Sequence, residues 1–275
     1  MISFEHQGWT VQIFASAAPA RPLIVLPTFA EAVAPVRKAL ADAPDFTLVT
    51  LSGFDWEGDL SPWPAPALGK NSAPFAGHAD AALALLSEEL LPQIEAALPA
   101  PPSWRGIAGY SLAGLFAVYA LYRCDLFQRA ASMSGSLWYP DFLDFAQSHS
   151  MRTKPERIYL SVGDKERKTR HPLMRNVQTA AEDFAAHCQA LGISTTFQLE
   201  RGNHFNDAAG RTARGIRWLL EAWKREKVFA AHTEKHCKNI KFLPIKPKNI
   251  AKAQSFCRQN RKTFAKMQGL RYTKI

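Results

Sequence analysis

Hydrophobic residues recur along the first 227 positions in two alternating rhythms. Short apolar runs bounded by turn residues, the pattern of strands covered on both faces, occur at Pro22–Pro27 (PLIVLP), Phe46–Leu51 (FTLVTL), Arg105–Tyr110 (RGIAGY), Arg129–Ser134 (RAASMS) and Arg157–Val162 (RIYLSV). Two further strands are expected at Trp9–Phe14 (WTVQIF) and Ser194–Glu200 (STTFQLE). Between them the spacing lengthens to that of amphipathic helices, over Ala30–Ala41, Gly77–Leu98, the stretch after Ser111 through Tyr122, Pro172–Ala190 and Gly210 to about Lys227. Alternation of this kind predicts an α/β fold, a mostly parallel sheet with helices on both faces. No internal repeat is visible. The longest expected loop, Ser52–Ala76, is rich in Pro, Gly and Trp and too short for a large cap domain.

In open α/β sheets the chemistry lies beyond the carboxyl ends of the strands. After RGIAGY comes Ser111, between Gly109 and Gly114, where strand gives way to helix. A sharp turn there needs small neighbours, because a Cβ at Gly109 or Gly114 would collide with nearby backbone, and it lifts the hydroxyl above the sheet edge. After RIYLSV comes GDKERKTRH, with Asp164 and Glu166 in the turn, and after STTFQLE comes His204 in RGNHFND. Serine, acid and histidine, each from a different strand end, follow the chain order of the α/β-hydrolase fold. Each residue also has a plainer reading: Ser111 as a helix N-cap, His204 as a loop histidine bonded to backbone, Asp164 and Glu166 as turn residues. Glu166 is preferred as the acid that orients the histidine, since it stands three residues beyond Gly163 and clears the sheet edge; Asp164 is the reserve.

The motifs GYSLAGL, LSVGDKERKTR and GNHFND, with DWEGDLSPWPAP upstream, resemble the "Putative esterase" family of the α/β-hydrolase superfamily, which includes esterase D and siderophore esterases acting on enterobactin-type trilactones. The resemblance covers Ile2 to about Lys227. It implies an α/β-hydrolase fold, Ser111 as nucleophile and His204 as base. Ala113 stands where the simple GxSxG template has its second glycine, with Gly114 one step later. The expected function is a serine esterase that cleaves a carboxylic ester, siderophore-type or small acyl, through an acyl-serine; an acyltransferase with the same groups and a non-catalytic ligand binder are the alternatives. The oxyanion would meet the N–H of Leu112 and that of Thr28 or Phe29. Trp56, Trp63, Trp138 and Tyr139 fall in loops after strands and are candidates for the substrate pocket or, equally, for packing those loops onto the core. No metal and no cofactor is expected, and the partner is a small-molecule ester.

Charge alters the picture only at one end. The net charge is +10. Val228–Ile275 holds 12 Lys and Arg against the single acid Glu234, which leaves 22 bases against 23 acids in the first 227 residues. The body thus has no electrostatic footprint for nucleic acid. We read residues 1–227 as an esterase domain and 228–275 as a basic tail, disordered or loosely helical, that contacts anionic surfaces or has no defined partner. Four scattered cysteines without CxxC spacing suggest reduced thiols. The start of the chain lacks a secretory pattern, and a cytoplasmic location is expected.

Overall fold

The computed structural model describes residues 1–69 and 72–221. Eight strands form one sheet: β1 (Ile2–His6), β2 (Trp9–Phe14), β3 (Leu23–Pro27), β4 (Thr47–Ser52), β5 (Arg105–Tyr110), β6 (Arg129–Met133), β7 (Arg157–Gly163) and β8 (Ser194–Glu200). Their spatial order is β1-β2-β4-β3-β5-β6-β7-β8. β2 runs antiparallel to both β1 and β4, and every other neighbouring pair is parallel. This is the α/β-hydrolase fold. β1 has no counterpart among the expected strands. It is a half-exposed edge strand, turned back onto β2 through Gln7 and Gly8, both at positive φ (48° and 82°), the conformation of a tight two-residue hairpin.

Helices cover both faces, and the two-residue period of the strands decides which side chain meets which layer. From β3, Leu23 and Val25 join the larger apolar cluster, packed with α2 (residues 79–96), α3 (Leu112–Arg123), α4 (Phe142–Ser148) and α5 (Val177–Ala190). Ile24 and Leu26 point the other way, to Val36 of α1 (Ala30–Ala39) and to Ala213, Ile216, Leu219 and Leu220 of α6, which is helical from residue 208 to the last described residue, 221. α2 is the expected amphipathic segment, with a π-helical turn at Leu86–Leu90 just before Pro92, whose missing N–H leaves the regular ladder one donor short. α4 is only seven residues long and falls where no helix is expected. The loop after β4 carries one helical turn, Trp56–Asp59, and a small strand pair, Pro64–Ala65 with Phe75–Ala76. Among the described residues no large cap domain is inserted. Among the described residues no helix is long and apolar enough to cross a membrane. The boundary expected after Lys227 and the basic segment 228–275 lie outside the described residues.

The junction of β5 and α3 explains the two glycines around Ser111. A Cβ at Gly109 would lie 2.0 Å from the carbonyl oxygen of Ala113, and one at Gly114 would lie 2.8 Å from Ser132 Oγ and 3.0 Å from the Gly109 carbonyl. The helix can fold back across its own strand only if both side chains are missing. Gly109→Ala is therefore expected to lower stability by about 3 kcal/mol or more, at or beyond the usual range for overpacking, because the obstacle is backbone that cannot swing aside. For a domain of this size that is a fall of roughly 10 °C in Tm, read by calorimetry. A change below about 2 °C would show that the close approach is not maintained in solution.

Candidate active site

Ser111 sits in the turn between β5 and α3 at φ 57° and ψ −122°, a region that L-residues seldom occupy and that costs on the order of 1–3 kcal/mol. Backbone bonds hold it there. Its N–H donates to the Met133 carbonyl at 3.0 Å, and its carbonyl accepts from Gly114, Leu115 and Ser136 at 3.0, 3.2 and 3.0 Å. As a consequence the hydroxyl stands at the mouth of a cleft of about 430 Å³ while the backbone beneath it is fixed.

The loop after β8 brings His204 over the serine, with Nε2 3.1 Å from Ser111 Oγ. The turn after β7 brings Glu166 to the far side of the ring, with Oε2 2.8 Å from Nδ1. These bonds place the Nδ1 proton toward the carboxylate and the bare Nε2 toward the serine hydroxyl, the tautomer a general base requires. Asp164, the reserve acid, faces elsewhere: its Oδ1 accepts the Gly202 N–H at 2.7 Å and so ties the turn after β7 to the histidine loop. Lys165 adds a second tie, its N–H reaching the Gly202 carbonyl at 3.0 Å. A Cβ on Gly163 would lie 2.3 Å from that same carbonyl, so the two loops can close only over a glycine.

Three residues outside the expected set hold the acid. Glu166 Oε1 accepts from the Gly163 N–H at 2.6 Å, Ser134 Oγ at 2.7 Å and Arg211 Nη1 at 2.9 Å. Ser134 follows β6, between the strand that carries Ser111 and the strand that carries Glu166, at φ 47°. Arg211 lies in the first turn of α6 with its side chain wholly buried, against a Glu166 side chain only 3% exposed. Its Nη1 also lies 3.2 Å from Tyr110 Oη, and Nη2 donates to the Arg201 carbonyl at 3.1 Å. The Tyr110 hydroxyl in turn donates to the His204 carbonyl at 2.6 Å. Burial pushes the Glu166 carboxyl up, but the hydrogen bonds from His204, Ser134 and Gly163 outweigh it and leave the group below its ordinary carboxylate range, ionised at neutral pH. Burial raises the Tyr110 phenol, which keeps its proton for the histidine loop.

The expected oxyanion donors separate. The Thr28 N–H donates to the Leu51 carbonyl at 2.8 Å, which leaves Phe29 on that loop. Leu112 is the first residue of α3, where an N–H has no acceptor within the helix. The four aromatic candidates also divide. Trp56 and Trp138 line the cleft. Trp63 and Tyr139 do not; they brace the loop layer beneath it, with Tyr139 Oη donating to the Trp63 carbonyl at 2.6 Å and Trp63 Nε1 to the Pro140 carbonyl at 3.1 Å. Lys165, Lys168 and the 87% exposed Phe205 line the cleft without having been singled out from the sequence.

The chain is similar in family and in fold to known ester-cleaving proteins. Residues 32–206, more than half of the chain, match the model of the "Putative esterase" family. An uncharacterized protein of Bacillus subtilis (strain 168), YbbA, is 26% identical over 184 residues, 64% of this chain and 74% of that protein. Among solved structures, an IroE-like serine hydrolase from Shewanella oneidensis superposes with a TM-score of 0.67 at 17% identity, over 80% of this chain and 79% of that one. The siderophore hydrolase EstA from Aspergillus nidulans gives 0.63 at 18% identity, over 77% and 89%. With the strand order, the serine turn and the family match in agreement, the chain belongs to the "Putative esterase" family of α/β-hydrolase-fold, ester-cleaving enzymes.

Proposed function

We propose that the protein is a serine esterase in which Ser111 is the nucleophile, His204 the general acid and base, and Glu166 the acid that orients and stabilises the imidazole. The observation that carries this reading is the unbroken chain Ser111 Oγ to His204 to Glu166, at 3.1 and 2.8 Å, with its serine and histidine lining one cleft. His204 Nε2 takes the serine proton as Oγ bonds to the ester carbonyl carbon, and the carbonyl oxygen becomes an oxyanion that meets the N–H groups of Leu112 and Phe29. Collapse breaks the bond to the leaving oxygen, which receives the proton from His204, and the acyl group stays on Ser111. Water then adds to the acyl carbon, gives its proton to the same imidazole, and carboxylic acid departs as the proton returns to serine.

The His204 side chain keeps 26% of its surface in solvent, an opening through which water can reach the base for the second half of the reaction. The cleft suits a small or solvent-reachable ester, with a siderophore-type ester among the candidates on the strength of the Aspergillus relative. The test is a panel of p-nitrophenyl esters of increasing acyl length beside an enterobactin-type trilactone, with released products identified by mass. Turnover is expected for short acyl groups, falling for chains too long for a cleft of about 430 Å³. Ester formed in preference to free acid when an alcohol is supplied would make the protein an acyltransferase, and no turnover with any member would leave it a ligand binder.

A further inference from the structure

The turn that supplies Glu166 carries an excess of exposed cations over its one further acid, Asp164. Between residues 165 and 175, Lys165, Arg167, Lys168, Arg170 and Arg175 are all exposed, and Glu166 faces inward. None of the five forms an ion pair among the described residues, whereas Arg105, Arg123, Arg214 and Arg217 each hold a carboxylate. Five like charges within eleven residues repel one another, and a counter-charge beside them is favourable. Two of them, Lys165 and Lys168, line the same cleft as Ser111 and His204. The loop after β4, which lies on the other side of β5 from β7 in the sheet order, has the other sign and character: Trp56 and Glu57 of that loop line the cleft, and Trp56 is stacked on Phe29 with ring centroids 4.0 Å apart.

The mechanism gives this asymmetry a direction. The proton for the leaving oxygen comes from His204 Nε2, so the alcohol half of the ester lies on the histidine side of Ser111. Lys165 is on that side, since its N–H is bonded to the Gly202 carbonyl two residues before His204. The acyl half stays with the oxyanion donors, and Phe29, the second of these, is stacked on Trp56 next to Glu57. A negative group in the acyl half would face Glu57, while one in the alcohol half would face the lysines.

Resting on the serine-esterase reading, we propose that the substrate carries an anionic group, carboxylate or phosphate, in its leaving (alcohol) half, recognised by Lys165 and Lys168. The acyl half is uncharged.

Four probes test it, each rate divided by that of hydroxide alone to remove intrinsic reactivity: 2-butanoyloxyacetate and 2-(butanoyloxy)ethyl phosphate, with the anion in the leaving half; 2-methoxyethyl butanoate, neutral; and mono(2-methoxyethyl) succinate, with the anion in the acyl half. The leaving-half anions are expected to exceed the neutral ester about five- to tenfold in kcat/KM, the scale of two exposed charge pairs, and the succinate to fall below it. That preference should shrink toward unity in 1 M salt, where the screening length is about 3 Å, and in Lys165→Gln/Lys168→Gln. A gain for only one of the two anions supports the inference and names the anion. Turnover of the neutral ester without any preference, a preference for the succinate, or a preference untouched by salt and by the double substitution would overturn the inference alone. Failure to turn over any probe, together with no labelling of Ser111 by a fluorophosphonate, would overturn the esterase mechanism and the inference with it.

Discussion

Replacing Ser111 by alanine is expected to lower kcat by about 10⁶-fold, since the serine and histidine of such a site act as a unit and loss of the nucleophile removes nearly all of the chemistry. The fold should be untouched. Among the described residues Ser111 Oγ bonds only His204 Nε2, while the turn is held by its backbone N–H and carbonyl, which alanine retains. Alanine also keeps the Cβ, hence the same unfavourable φ of 57°. Ser111→Gly separates the two roles of this residue. It should be as inactive as the alanine variant yet more stable in urea by about 1 kcal/mol or more, because glycine occupies positive φ without penalty. A fluorophosphonate should label the wild type at Ser111 and neither variant. Activity in Ser111→Ala within tenfold of wild type, or labelling at a different residue, would remove Ser111 from the mechanism.

The second large effect is that of Glu166→Gln, expected to cost about 10⁴-fold in kcat, less than loss of the serine because geometry and oxyanion donors survive. An amide can present its NH₂ to Nδ1, which favours the tautomer with the proton on Nε2 and removes the anion that stabilises the imidazolium. The acidic limb of the kcat/KM profile should then move to lower pH, since a neighbouring negative charge favours the protonated ring. Stability carries an independent signature. The folded-state carboxyl titrates below its ordinary value, so its contribution is fully present above the usual carboxylate range and is lost as pH falls through and below it. Denaturation midpoints of the wild type should therefore drop more steeply with acid than those of Glu166→Gln, whose amide does not titrate. Asp164→Asn retains an oxygen to accept the Gly202 N–H and should change kcat only modestly. If it instead produced the 10⁴-fold loss, Asp164 would be the acid; if neither substitution mattered beyond a few-fold, the chemistry would rest on Ser111 and His204 alone.

How far the sequence revealed this arrangement depended on which interactions were local. Strands buried on both faces, such as LIVLP, announce themselves by a continuous apolar run, and seven of the eight strands of the large sheet were legible. β1 was not: ISFEH lies at the sheet edge and half of its surface stays in water, so it lacks a continuous apolar run. The serine turn was legible because its demand for small residues is met within six positions. Glu166 was favoured over Asp164 from its distance past the strand, and Glu166 is the one placed beside His204, but only the fold brings residues 38 positions apart together. Ser134 and Arg211 were invisible for the same reason. Arg211 looks like one of several arginines in GRTARGIRW, and nothing local distinguishes the one that is wholly buried from Arg214, which sits at the surface with Glu200 and Asp207. Thr28 and Phe29 were equivalent until the Leu51 carbonyl was found to occupy the first. Trp63 and Tyr139 stood equally as pocket aromatics or as loop packing, because composition alone does not show which face of a loop turns toward the core.

The burial of Arg211 also sets an order of events in the life of the chain. Ser111 on its turn and His204 on its loop belong to segments that leave the ribosome before α6, and both can reach their places as the sheet closes. The carboxylate is only partly held at that stage: until the first turn of α6 docks, Glu166 has the Gly163 N–H and Ser134 but lacks its guanidinium partner, and Tyr110 has Ser134 but not Arg211. Before that docking, the Glu166 carboxylate beside His204 is buried without the charge that balances it. Among the described elements α6 is the last to arrive, and its docking completes the buried network around Glu166.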